Sequence, residues 1–506
     1  MDRDLPPEIW RLVLESLPLE DKRTCLFVSR PYYTIVVASL FRHITLHFGL
    51  WQPPHIERTS EDLSELVDLN NRTWELLYRI STTPSFATHV RKLNVHFYPE
   101  DNNFCIFELR QLEQAIHALA PSLCSVDWFG SPPPDHSSLL RSLAQDTGAT
   151  LQHLRLPIEV VSNNALVSFT NLRSLILHPD PDHLWDLYHA NLIKESTVQS
   201  VCSAVSNNAP TLHHLSAVGD LVMMFPPRAF IDVNVLELTH TGILDGLALI
   251  LRHCERLCDL ALILRTIMPS TVSGLSEALV PDTLPFLESF RFNCAEEASV
   301  PAVLEVISKF LAGRHILKRL DISPADVEDQ FWSGLPPSQP ILGMLHTLPS
   351  IKALALGFEA EITTETIEQL SSCVPMDINA FRIGGFVVRD YLIENAFLSF
   401  VRCRTSLGYL HIFNPHPVGM DYKLQLLEDP PPALELYGFG PYLRWLVPGP
   451  DGPDAYPPRQ WTEHWPPRKV TFRTVEDFGR ADWEWLLRHN GRWDYHSMPP
   501  GARVQL

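Results

Sequence analysis

One hydrophobic pattern recurs along most of the chain: an apolar residue, two variable positions, a second apolar residue, one variable position, a third apolar residue. It runs through residues 90–95 (VRKLNV), 123–128, 151–156, 172–177, 212–217, 233–238, 257–262, 287–292, 317–322, 351–356, 378–383 and 407–412 (LGYLHI), with a weaker copy at 433–436. The alternation at the end of each copy predicts a short strand with one buried face. Pro121, Pro210, Pro285 and Pro349 each stand two residues before the first apolar position. Proline there stops a helix and extends the chain. Between the copies, 109–119, 302–311, 364–370 and 390–401 carry apolar residues three and four apart, which predicts helices. Copies start 21 to 40 residues apart, about 29 on average.

A strand and a helix every ~29 residues resemble the leucine-rich repeat. The resemblance implies an α/β solenoid of about twelve repeats over 86–440, each burying its apolar faces only against its neighbours. The Asn or Cys usual after the last Leu of such repeats is absent, so the copies are degenerate. In this arrangement alternate strand positions face a concave surface. Arg155, Arg291, Arg319, Asp321, Arg382, Tyr409 and His411 fall there and are the expected target-binding residues, with Lys92, His153 and His214 beside them. Arg and Tyr are frequent anchors of protein interfaces.

The first 48 residues read differently. Asp4 and the pair Pro6-Pro7 suit a helix start, and Ile9, Leu12, Val13 and Leu17 follow at helical spacing. Pro18 stops that helix, a second runs through Cys25 and Leu26, and a third follows Pro31. About 45 residues with apolar side chains on more than one face cannot hide them all internally. The order Leu5-Pro6-Pro7-Glu8-Ile9, Leu17-Pro18, Asp21, Val28-Ser29-Arg30 and Leu40-Phe41-Arg42-His43-Ile44 resembles an F-box. Lys22 and Ser29 depart from that pattern, where Leu and Cys are usual. The resemblance implies a three-helix unit that docks on the Skp-type adaptor of a cullin-based ubiquitin ligase. Carried over by position, the adaptor contacts are Leu5, Pro6, Ile9, Leu17, Pro18, Leu26 and Val28. Residues 49–85 read as a helical linker.

Residues 441–506 hold six of the twelve Trp together with many Pro, and they predict a C-terminal cap over the apolar edge of the last repeat. The formal charge of −19 argues against nucleic acid or anionic membrane as a partner. No apolar run is long enough to cross a membrane, and the start lacks a secretory signal, so the expected location is cytoplasm or nucleus. Phosphate-binding loops, nucleophile elbows and zinc-protease signatures are absent, and the nine Cys include no CxxC pair. No metal, cofactor or catalytic residue is therefore expected. The composite expectation is a non-catalytic substrate-recognition subunit that binds a protein target and, through the adaptor, cullin. The alternative is a repeat scaffold without a ubiquitin-ligase role, whose N-terminal helices merely cap the array.

Overall fold

The computed structural model describes residues 6–17, 19–51, 60–98, 106–132, 136–161, 164–178, 195–264, 269–294, 300–324, 339–357, 363–384, 391–413, 430–440, 442–449 and 459–488. The chain divides into two compact units; the first comprises 1–51, 58–217 and 224–232, and the second comprises 52–57, 218–223 and 233–506.

The first unit opens with helices α1 (Pro7–Ser16), α2 (Leu19–Cys25) and α3 (Arg30–Leu40). Six strands follow: β1 (His43–Gly49), β2 (Lys92–Tyr98), β3 (Ser125–Gly130), β4 (His153–Pro157), β5 (Ser174–His178) and β6 (His214–Val218). Each pairs in parallel with the next in chain order. Parallel neighbours need crossover connections. These carry α4 (Ser60–Thr82), α5 (Pro84–Ala87), α6 (Ile106–Leu119), α7 (His136–Thr147) and α8 (Glu195–Asn208). Leu93, Val95, Val126 and Leu156 of the strands meet Ile116 of α6 and Leu140 and Leu143 of α7. The opposite strand positions leave polar side chains on the other face.

Strand β1 departs from the sequence reading, which gave 41–46 to the end of the F-box-like unit. Its stretch FRHITL fits the same apolar spacing as the other copies. The exposed side of β1 is managed by α4: Thr73 accepts a hydrogen bond from the His47 amide at 2.9 Å, and Leu77 and Ile80 are buried. An edge amide is thus withheld from foreign strands.

In the second unit, a short helix α9 (Gly219–Val222) precedes β7 (Val235–Thr241), β8 (Asp259–Leu264), β9 (Ser289–Cys294), β10 (Arg319–Pro324), β11 (Ala353–Gly357), β12 (Ala380–Gly384), β13 (Tyr409–Phe413) and β14 (Leu436–Phe439). All eight strands are parallel in chain order. Strands β15 (Tyr442–Pro448) and β16 (Arg459–Trp461) then reverse direction and close the edge. Helices α10 (Leu247–His253), α11 (Pro269–Ala278), α12 (Val300–Leu311), α13 (Gln339–Leu345), α14 (Thr364–Cys373) and α15 (Tyr391–Arg402) link the parallel strands, each packed on the next. Twelve strands begin two residues after the first apolar position of their sequence copy, at 92, 125, 153 and so on to 409. The α/β repeat expectation therefore holds within each unit.

Two arginines show how successive repeats are tied. Arg314 lies over the Phe310 ring at 4.1 Å and donates to the carbonyls of Leu284 (2.7 Å) and Pro281 (2.9 Å). Arg404 lies over Phe400 at 3.7 Å and donates to the Val374 carbonyl at 2.9 Å. Each satisfies carbonyls of the preceding repeat while stacking on its own helix. Burial lowers both guanidinium pKa values to about 10, so both stay charged at neutral pH.

Asn208 does similar work in the first unit. Its buried side chain accepts from the Leu172 amide at 2.7 Å and donates to the carbonyls of Phe169 (2.7 Å) and Ala204 (2.8 Å). Asn208→Ala would strand these backbone groups and is expected to cost about 3 kcal/mol in chemical denaturation. The exposed Asn207 makes one long contact, 3.4 Å to the Val167 carbonyl. Asn207→Ala should stay within about 0.5 kcal/mol.

Candidate interaction surfaces

Among the described residues, the N-terminal helices bury few apolar side chains. Leu14, Val36 and Val37 are inside, and Trp10 packs on Tyr32 with ring centroids 5.0 Å apart. Ile9, Leu12 and Val13, which share one face of α1, are 42, 63 and 41% exposed. In the turn after α2, Phe27 and Val28 are 89 and 62% exposed. Of the expected adaptor contacts, Pro6, Ile9 and Val28 are exposed, and Leu17 and Leu26 are half-buried. Leu5 and Pro18 lie outside the described residues. Leu12, Val13 and Phe27 are also exposed and are not among the expected adaptor contacts. Leu12 and Val13 follow from their spacing to Ile9, whereas the outward turn of Phe27 has no sequence signal.

The second expected surface is in a different state. In register across the sheet of the second unit lie Glu237, Ala261, Arg291, Asp321, Ala355, Arg382, His411 and Gly438. A parallel row holds Asp259, Ser289, Arg319, Ala353, Ala380, Tyr409 and Leu436. Across these rows lies the chain's own C-terminal segment: α16 (Pro467–Thr471), α17 (Val475–Phe478) and α18 (Ala481–Leu487). Helix α18 packs on β10, β11 and β12.

The fit is both apolar and polar. Trp483, Trp485, Leu486 and Leu487 are buried in one cluster with Ala353, Ala355, Ala380, Tyr409 and Phe478. The small residues keep the sheet low enough for the indoles. A Cβ on Gly408 would come within 2.7 Å of the Trp483 ring. Arg291 stacks on Trp485 at 4.4 Å, donates from Nε to Asp321 Oδ2 at 2.9 Å and from Nη2 to the Trp485 carbonyl. Trp485 Nε1 donates to Asp259 Oδ2 at 2.8 Å, and Arg319 pairs with Asp482 at 2.7 Å. Arg488 bridges Glu484 (2.9 Å) and Glu237 (3.3 Å). Arg382 donates to Ser323 Oγ at 3.3 Å. The Tyr409 hydroxyl donates to His411 Nδ1 at 2.8 Å, and His411 Nε2–H donates to the Gly440 carbonyl at 2.7 Å; this tautomer is the one that satisfies both contacts.

Of the seven expected target-binding residues, Arg291, Arg319, Asp321, Tyr409 and His411 are thus engaged by the protein's own C-terminal segment or by each other, and Arg382 is buried with a hydrogen bond to Ser323. Their chemistry suits an interface, and the partner seated on it is intramolecular. Arg155 stands apart in the first unit, over the Phe129 ring at 4.4 Å. The C-terminal region also does more than the sequence suggested. Strands β15 and β16 cap the sheet edge, while α17 and α18 cover its face.

No family model matches the sequence, and no curated protein matches it. Solved structures overlap only loosely. One is the crystal structure of the Rad7 and Elc1 complex in yeast, at 15% identity over 62% of this chain and 75% of that chain, TM-score 0.34. Another is a protein from Bacteroides fragilis, at 11% identity over 75% of this chain and 72% of that chain, TM-score 0.23. The repeat description above rests on strand order and register, without these overlaps.

Two outcomes test the C-terminal cover. Trp483→Ala removes a fully buried indole and is expected to cost about 3–5 kcal/mol, with limited proteolysis after residue 465 accelerated. Burial, aided by Arg382, pushes the His411 pKa down to about 3. Between pH 6.5 and 3 the unfolded imidazole therefore takes up a proton that the folded one refuses, so stability falls as the pH falls through this window. His411→Asn should flatten that part of the melting temperature against pH curve.

Proposed function

We propose that this protein is a non-catalytic substrate-recognition subunit of a ubiquitin ligase of the Skp adaptor–cullin–F-box type. Helices α1–α3 dock on the adaptor, and the repeat units hold a target protein, in cytoplasm or nucleus. No side chain of the chain takes part in bond making. The rate gain comes from holding the target near the charged ubiquitin donor, which raises its effective concentration.

The observation that carries this reading is the exposure of Ile9, Leu12, Val13, Phe27 and Val28. Full burial of such a side chain from water is worth about 1.5–3 kcal/mol, and covering the area still exposed contributes roughly half of that or more for each. Together they offset a large part of the association cost of about 4–15 kcal/mol. The scaffold alternative predicts that the same side chains are covered by the protein itself; among the described residues they retain 41 to 89% of their exposure.

The test is recovery of a purified Skp-type adaptor on the immobilised full chain. Ile9→Glu/Val28→Glu should lower recovery at least tenfold while leaving the melting temperature within about 2 °C, because both positions are on the surface. Undiminished recovery with the double variant would remove the proposal.

A further inference from the structure

The N-terminal rim of the sheet in the first unit carries a charge arrangement that the proposed function does not use. The carbonyl of Arg42 accepts the amides of Arg91 and Lys92. The Arg91 carbonyl accepts those of Cys124 and Ser125, and the Cys124 carbonyl those of Gln152 and His153. The Gln152 carbonyl accepts those of Arg173 and Ser174, and the Arg173 carbonyl those of His213 and His214. This ladder fixes six residue pairs side by side, one per strand: 42–43, 91–92, 124–125, 152–153, 173–174 and 213–214.

The twelve positions hold four permanent cations (Arg42, Arg91, Lys92, Arg173), four imidazoles (His43, His153, His213, His214) and no carboxylate. Arg42, His43, Arg91, His153, Arg173 and His213 are exposed. Among the described residues, an acid beside the row is Asp127, two residues beyond Ser125 on β3 and paired with Lys92 at 2.8 Å. The local field registers at His153. Its pKa is lowered first by burial; Asp127 pulls it up, and Lys92, His214 and Arg173 push it down. The corresponding pairs in the second unit include Asp259, Glu288 and Glu435, so the bias belongs to this rim. On a chain of net charge −19 it is a local inversion of sign.

We infer that this rim binds an acidic, extended segment of a protein. Six strands at ~4.8 Å spacing give a strip about 24 Å long, the reach of about seven extended residues. A peptide suits it better than nucleic acid. Half of the basic groups are imidazoles rather than permanent cations, and the surrounding acidic protein repels a long polyanion. Taken with the proposed function, the segment is the recognised part of the target, and this clause alone depends on that reading.

The measurement is fluorescence anisotropy of a labelled octapeptide of alternating Asp and Glu with the full chain, at 50 and 200 mM salt and without adaptor. Binding is expected at 50 mM and should weaken about tenfold or more at 200 mM. Arg42→Glu/Arg173→Glu should weaken it at least tenfold. Arg228→Glu/Arg252→Glu, the same charge change at exposed positions off the rim, should leave it within twofold. Circular dichroism verifies that both variants fold. No binding at 50 mM, equal weakening by the two pairs, or tighter binding of an eight-nucleotide thymidine strand would each overturn the inference. Loss of adaptor recovery would overturn the ligase reading and leave this result standing.

Discussion

A single backbone carbonyl before each strand organises both units. It accepts two successive amides from the next strand, at Arg91, Cys124, Gln152 and Arg173 in the first unit and at Cys258, Glu288, Lys318, Lys352, Asn379 and Gly408 among those in the second. A parallel strand has no hairpin partner, so its amides are satisfied only by the neighbouring repeat. Register follows from this, and with it the rows of side chains on each face. The basic rim of the first unit and the polar rows of the second are products of the same ladder.

Satisfying the backbone in this way leaves the strand face opposite the helices without cover. The two units treat it differently. In the second unit the face holds Ala353, Ala355 and Ala380 where bulk would obstruct, and paired charges where the covering helix has polar groups to meet. Arg291 and Asp321 are tolerable inside because each has the other, with the Trp485 ring and carbonyl completing the site. In the first unit the rim keeps exposed cations and imidazoles at Arg42, His43, Arg91, His153, Arg173 and His213.

The repeats were legible because their apolar spacing is local, and each of the twelve copies begins a strand two residues in. Strand β1 was missed although FRHITL carries the pattern, because the same residues complete the F-box-like motif. The polar ties were less visible. Phe310, Arg314 and Leu317 have the same spacing as Phe400, Arg404 and Leu407, yet the contact that gives the spacing meaning reaches into the previous repeat. The C-terminal cover was the least visible. The Trp- and Pro-rich stretch has no periodicity of its own, and its partners stand far back in the chain: 163 residues for Arg319 with Asp482, 226 for Asp259 with Trp485. Spacing places Arg, Asp and Tyr on the face opposite the helices, and composition alone does not say whose surface they touch.

That distance has a consequence for biosynthesis. Glu237 meets Arg488 across 251 residues. At about 5–20 residues per second, roughly 12–50 s separate the emergence of the two from the ribosome. Within that interval Arg291, then Asp321 and then Tyr409 emerge uncovered, and only the last-made helices bring the face of the second unit to its finished state. A chain truncated before residue 481 would remain indefinitely in the condition that the intact protein passes through once.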